Sequence, residues 1–125
     1  MEDPLEILVT IILNIQYDIP MKQNIVKEST FKKRVLSRLR KIPKTVVFTI
    51  QQASIRGTPD LLVSINGRFV ALELKRSSTA PATELQLYNI ARINESGGYA
   101  ALVYPENLDV IMKTLEDISN AKSET

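Results

Sequence analysis

Three residues in one short stretch have the types and spacing for hydrolytic chemistry. Within GTPDLLVSINGRFVALELK (residues 57–75) there is a carboxylate at Asp60, another at Glu73 and an ammonium at Lys75. Between them, apolar runs 61–65 and 69–74 flank Asn66-Gly67, the strongest short-range signal for a two-residue type I′ hairpin. That turn sets Ile65 against Arg68, Val63 against Val70, Leu61 against Leu72 and Asp60 against Glu73. Directly opposed side chains have Cβ atoms about 4.5–5.5 Å apart, where like charges destabilise, and strand alternation puts Lys75 on the face of Glu73. A hard divalent cation turns such repulsion into a ligand set, because Mg²⁺ and its kin favour carboxylate and carbonyl oxygens. The plainer alternative is a Pro-Asp that merely opens a strand and a Glu-x-Lys on a solvated edge. Each fragment alone fits that alternative; the joint spacing, which lands both acids on one rung, points to a metal site.

Composition narrows the chemistry further. The chain has 125 residues, 44% of them hydrophobic, enough for one domain with a real core. It contains neither Cys nor His, which removes disulfides, thiolate or imidazole zinc sites, cysteine nucleophiles and histidine bases. An intracellular, cytoplasmic setting is the natural inference from the missing cysteines. Net charge is only +2, yet of 16 basic residues nine lie between Lys22 and Lys44, with Glu28 as the one acid among them. Lys32, Lys33, Arg34, Arg38 and Lys41 belong to this run. Such clustering is the footprint of a polyanion, here nucleic acid, against the alternative of a solvated helix face, which usually mixes signs. The apolar stretch 5–15 is far below the ~20 residues a membrane span needs, and acids rather than bases precede it, unlike a secretory signal.

The elements that must position these groups follow from periodicity. Asp3-Pro4-Leu5-Glu6 has the pattern of a helix start, and the segment after it, apolar nearly all round, belongs in a core or a dimer interface, its β-branched content leaving a strand as the alternative. Residues 28–41 read as an amphipathic helix with Phe31, Val35, Leu36 and Leu39 on its apolar side, and Glu28 projects from that side on the first turn. Residues 45–51 are β-branched and read as a strand. The hairpin has apolar residues on both faces, so the sheet is expected to be covered on both sides. Pro81 suits the start of a second helix and Gly97-Gly98 its end, with Gln86, Ile90 and Ile93 on one face. Residues 99–104 form a fourth strand. A last amphipathic helix contains Leu108, Ile111, Met112, Leu115 and Ile118, and residues 119–125 are expected to fray.

The order helix, three strands, helix, strand, with Pro-Asp60 opening the second strand and Glu73-Leu74-Lys75 closing the third, resembles the PD-(D/E)XK nuclease superfamily. Gly-x-Pro-Asp-Leu, the hairpin, Glu-x-Lys and a downstream helix Gln resemble the virus-type replication-repair nucleases (VRR-NUC) in particular, a group similar to archaeal Holliday-junction resolvases. The resemblance implies an α/β, restriction-endonuclease-like αβββαβ core with a mixed central sheet flanked by helices. On that basis residues 1–125 form a single nuclease domain: an N-terminal extension over 1–24, the core over 25–105, and a C-terminal helix and tail over 106–125. It also implies that Asp60, Glu73 and the backbone carbonyl of Leu74 bind a catalytic Mg²⁺ or Mn²⁺. Glu28 would complete the site directly or through water. Lys75 would orient or help deprotonate the attacking water, and Gln86 matches the family's helix Gln.

The function implied is metal-dependent hydrolysis of DNA phosphodiester bonds, structure-selective for Holliday junctions, branches or flaps. Junction resolution needs two active sites and hence a homodimer. The basic helix, with Arg56 and Arg76, would hold flanking phosphates, contacts that give affinity without sequence information. The alternatives are a catalytically weak nucleic-acid-binding module on the same fold, and an interaction domain whose partner meets the first helix.

Overall fold

The computed structural model of the protein describes residues 3–8, 27–51 and 55–122. Residues 4–8 are helical, and the Asp3 carboxylate accepts the Leu5 N–H at 3.0 Å, the N-cap bond that Asp-Pro-Leu-Glu predicts. The rest of the apolar N-terminal stretch lies outside the described residues. The regular elements that follow are α1 (Glu28–Arg40), β1 (Thr45–Thr49), β2 (Leu61–Ile65), β3 (Arg68–Leu74), α2 (Glu84–Glu95), β4 (Tyr99–Val103) and α3 (Leu108–Asn120).

The four strands form one mixed sheet in the order β1-β2-β3-β4. β1 and β3 run antiparallel to β2, and β4 runs parallel to β3. The Asn66-Gly67 turn sets the register read from the sequence: Leu61 pairs with Leu72, Val63 with Val70 and Ile65 with Arg68. Both turn residues have positive φ, 51° and 79°, the type I′ geometry whose twist matches the flanking strands.

Alternation sorts the apolar residues into two cores. On one face, Leu61, Val63, Ile65, Val70, Leu72 and Leu74 pack with Phe31, Val35 and Leu39 of α1 and Leu108, Ile111, Met112 and Leu115 of α3. On the other, Ala71, Ala100 and Leu102 pack with Leu87 and Ile90 of α2. Two helices therefore cover the first face, whereas α2 alone sits over β3 and β4 on the second. The β1 side of that second face is bare: Val46 and Phe48 are 55% and 66% exposed.

Three boundaries differ from the sequence reading. β1 ends at Thr49 rather than at residue 51, its last ladder contact passing to Ile50, whose N–H donates to the Asp60 carbonyl. α2 begins at Glu84, not Pro81, because Thr83 provides a complete N-cap. α3 runs to Asn120 instead of fraying at residue 119. There the Ser119 hydroxyl donates to the Pro43 carbonyl at 2.7 Å, and the Asn66 side-chain amide donates to the carbonyls of Ile118 and Ala121. Long-range partners thus satisfy helix-end groups that a free terminus would leave to water.

Candidate active site

Asp60 and Glu73 meet at the end of the hairpin away from its turn. The main-chain carbonyl of Asp60 accepts the Ile50 N–H at 2.8 Å, and its Oδ2 accepts the Leu74 N–H at 2.9 Å. Asp60 is thereby tied to both neighbouring strands, with one carboxylate oxygen committed to orientation. Glu73, on β3, is only 6% exposed. Its carboxyl lies within hydrogen-bonding reach of Asp60, and its Oε2 is buried without a hydrogen-bond partner among the described residues. Burial pushes the Glu73 carboxyl from 4.5 up to about 8; the Asp60 charge and hydrogen bond add to the rise, Lys75 opposes it, and Glu28 contributes last.

An orphaned carboxylate oxygen beside a second carboxylate is costly unless something positive or a proton is shared between them. The donor set is all oxygen and anionic, which fits a hard cation such as Mg²⁺ or Mn²⁺. Among the described residues no cluster of three or more Asp, Glu, His or Cys side chains forms. Two protein carboxylates with the remaining positions left to carbonyl, water and substrate are what Mg²⁺ commonly takes.

Lys75 follows β3 and is held there by its N–H, which donates to the Val103 carbonyl at 2.8 Å. Its Nζ donates to Gln86 Oε1 at 2.9 Å, so the Lys and the helix Gln of the sequence motif do meet. Gln86 also works within its own helix. The Thr83 N–H donates to the same Oε1 at 3.0 Å, and the Gln86 N–H donates to Thr83 Oγ1 at 3.1 Å. That reciprocal pair is a capping box, legible in the sequence as Thr-x-x-Gln but overshadowed by Pro81 as a start signal.

The turn into Asp60 depends on Gly57, whose φ is +77° and whose added Cβ would lie 2.9 Å from the Leu85 carbonyl carbon and the Asn89 side-chain nitrogen. Asn89 in turn donates to the Arg56 carbonyl at 3.1 Å, so α2 clamps the loop that delivers Asp60, while the Arg56 side chain stands at the surface. Gly57→Ala is expected to destabilise the fold by more than the about 1–2 kcal/mol of a left-handed backbone alone, since backbone must also move. Urea unfolding measures it; an unchanged midpoint would show that the turn adapts.

The remaining candidates are spread more widely. Glu28 opens α1, is exposed, and reaches Glu73 only as a weak Coulombic influence. From there α1 runs about 20 Å at 1.5 Å per residue toward the far end of the sheet, where the Lys44 carbonyl meets the Asn66 N–H. Lys33, Arg34 and Lys41 are exposed and Lys32 half-buried along it, with Arg34 over the Phe31 ring at 5.5 Å. Arg38 is paired with Asp109 of α3. Arg38 and Lys41 also share a cleft with Glu116, so that end of the helix carries mixed charge. Arg76, beside Lys75, is exposed.

No family profile matches the sequence, and no curated protein does. Among solved structures, the fold is similar to that of a VRR_NUC domain with a TM-score of 0.60 and 20% identity, over 69% of this chain and 94% of the other. The chain thus shares the fold of that domain, a mixed four-stranded sheet flanked by helices.

Proposed function

We propose that this chain is a metal-dependent endonuclease that hydrolyses DNA phosphodiester bonds, with selectivity for junctions, branches or flaps. The observation that carries this reading is the pairing of Asp60 with the buried, partnerless Glu73 Oε2 beside a lysine held by Gln86. Asp60, Glu73 and the Leu74 carbonyl are the groups that would hold Mg²⁺ or Mn²⁺, with Glu28 acting through water. When bound, the ion would neutralise phosphate charge and lower the pKa of the attacking water. Lys75 keeps two N–H donors beyond the one given to Gln86; they orient that water and stabilise the developing charge on phosphorus oxygens. No protein nucleophile is needed, in keeping with a chain that has no Cys or His.

Lys32, Lys33, Arg34, Arg38, Lys41, Arg56 and Arg76 bind phosphates without reading sequence. Because Arg38 is already engaged by Asp109, it contributes least. Neutralising Arg34, Arg38 and Lys41 together should weaken DNA binding and reduce the salt slope, d log K/d log[salt], by about 2 rather than the value near 3 for three free contacts. Titrations at several salt concentrations measure it, and an unchanged slope would remove α1 from the interface.

The homodimer that two-strand cleavage requires finds support in the bare sheet face. Val46, Phe48, Ile55 and Phe69 are exposed there, next to a groove of ≈ 390 Å³ between the sheet and α2. Apolar area of this kind on one face commonly marks an interface. No helix among the described residues is long and apolar enough to cross a membrane. The reading is tested by incubating labelled duplex, single strand, flap and four-way junction with Mg²⁺ or Mn²⁺. Metal-dependent cutting supports it and the preferred substrate names the subtype. Salt-sensitive binding without cutting would favour the catalytically weak binding module instead.

A further inference from the structure

Among the described residues the Lys75 ammonium has one hydrogen-bond acceptor, Gln86 Oε1, and that acceptor is itself oriented by one surface residue. Gln86 Oε1 receives both the Lys75 ammonium and the Thr83 N–H, at 2.9 and 3.0 Å. An amide oxygen has two lone pairs, so these two donors use its capacity. They also fix which way the amide faces, because only oxygen can accept from both an ammonium and a backbone N–H. The Gln86 backbone is held from the other side by Thr83 Oγ1 at 3.1 Å, and the Leu87 N–H donates to the Thr83 carbonyl at 3.1 Å.

We propose, resting on the role given above to Lys75, that Thr83 is a positioning residue for the reaction: its capping box locks Gln86 in the one rotamer that aims Oε1 at Lys75. A free glutamine turns about three torsions and a lysine about four, so neither holds the other without an outside constraint. The capping box is that constraint. The first four N–H groups of a helix have no partner within it; when Thr83 Oγ1 is lost, the Gln86 N–H is one of those left open, the first turn frays, and Gln86 moves with it. Thr83 is exposed and buries nothing in the core, so its hydroxyl can be removed with little effect on packing.

The test compares Thr83→Val, which keeps the shape and loses the hydroxyl, with Thr83→Ser, which keeps the acceptor. Single-turnover cleavage and DNA affinity are measured for each, with Lys75→Ala as reference and Ser119→Ala as a destabilising change at the opposite end of the sheet. Thr83→Val is expected to slow the chemical step about tenfold, the lower end for losing a supporting bond behind a reactive group. Its DNA affinity should be unchanged, Thr83→Ser should cleave at the wild-type rate, and Ser119→Ala should stay active. Wild-type turnover in Thr83→Val alongside an inactive Lys75→Ala would overturn the role of Thr83 and leave the nuclease reading intact. Full activity in Lys75→Ala would instead overturn the reading on which that role rests. Equal losses in Thr83→Val and Ser119→Ala would reduce Thr83 to general stability.

Discussion

Asp60→Asn will abolish metal-dependent cleavage while leaving the fold and DNA binding in place. The substitution keeps an oxygen to accept the Leu74 N–H, now at 2.9 Å, so the ladder around residue 60 persists. What it removes is the charge that, with Glu73, would make an all-oxygen anionic site for the proposed cation. Losing one preorganised electrostatic group from an active site typically costs about 10²–10³-fold in turnover, and here the loss extends to the cation's own binding. Glu73→Ala should be as inactive. Neither change should lower stability much, because Asn keeps the oxygen that accepts the Leu74 N–H and Glu73→Ala removes a buried carboxyl oxygen that has no hydrogen-bond partner among the described residues. Cleavage rates, DNA affinity and thermal melts on the same preparations are the measurements. Full activity in either variant would mean that the active site is elsewhere.

The second large effect is on stability against pH. In the folded chain the Glu73 carboxyl titrates at about 8 instead of 4.5, with burial as the main cause and Asp60 next. Between those values the folded protein retains a proton that the unfolded chain has released, so the unfolded state binds fewer protons and stability falls as pH rises. The contribution is fully present below about 4.5 and lost by about 8, with no further change once both states are ionised. At about 1.4 kcal/mol per pH unit, discounted for partial solvation at the sheet's end, the metal-free protein should lose about 1–3 kcal/mol across that window. Glu73→Gln should flatten the profile and melt higher than wild type at pH 8. Mg²⁺ should restore wild-type stability most strongly at high pH, where it displaces the fewest protons, and should do little for Glu73→Gln. A profile that Glu73→Gln leaves unaltered would show that Glu73 ionises normally in the fold.

These effects depend on features of very different legibility. The hairpin register was readable because it is local: Asn66-Gly67 selects a two-residue turn, and the turn alone decides which residues oppose one another. The approach of Asp60 and Lys75 to Glu73 and the α/β class were anticipated from that register and from the spacing of apolar residues. Helix limits were less legible, since Pro81 and the Thr83–Gln86 box compete as start signals three residues apart, and the stronger reciprocal bonds won. Contacts between residues far apart in the chain left no trace in local pattern. The sequence shows a basic run, but only folding sets Arg38 against Asp109, 71 positions away, and offsets one of its charges with an acid of α3. It shows apolar residues on both faces of the hairpin and so predicts a sheet covered on both sides, but packing leaves Phe48 of β1 bare, because α2 sits mainly over β3 and β4. Residue types and spacing thus determined which groups could do chemistry together. The tertiary structure decided their environment, because the burial that strips water from Glu73 and the bond that aims Lys75 come from elements that meet only when the chain is folded.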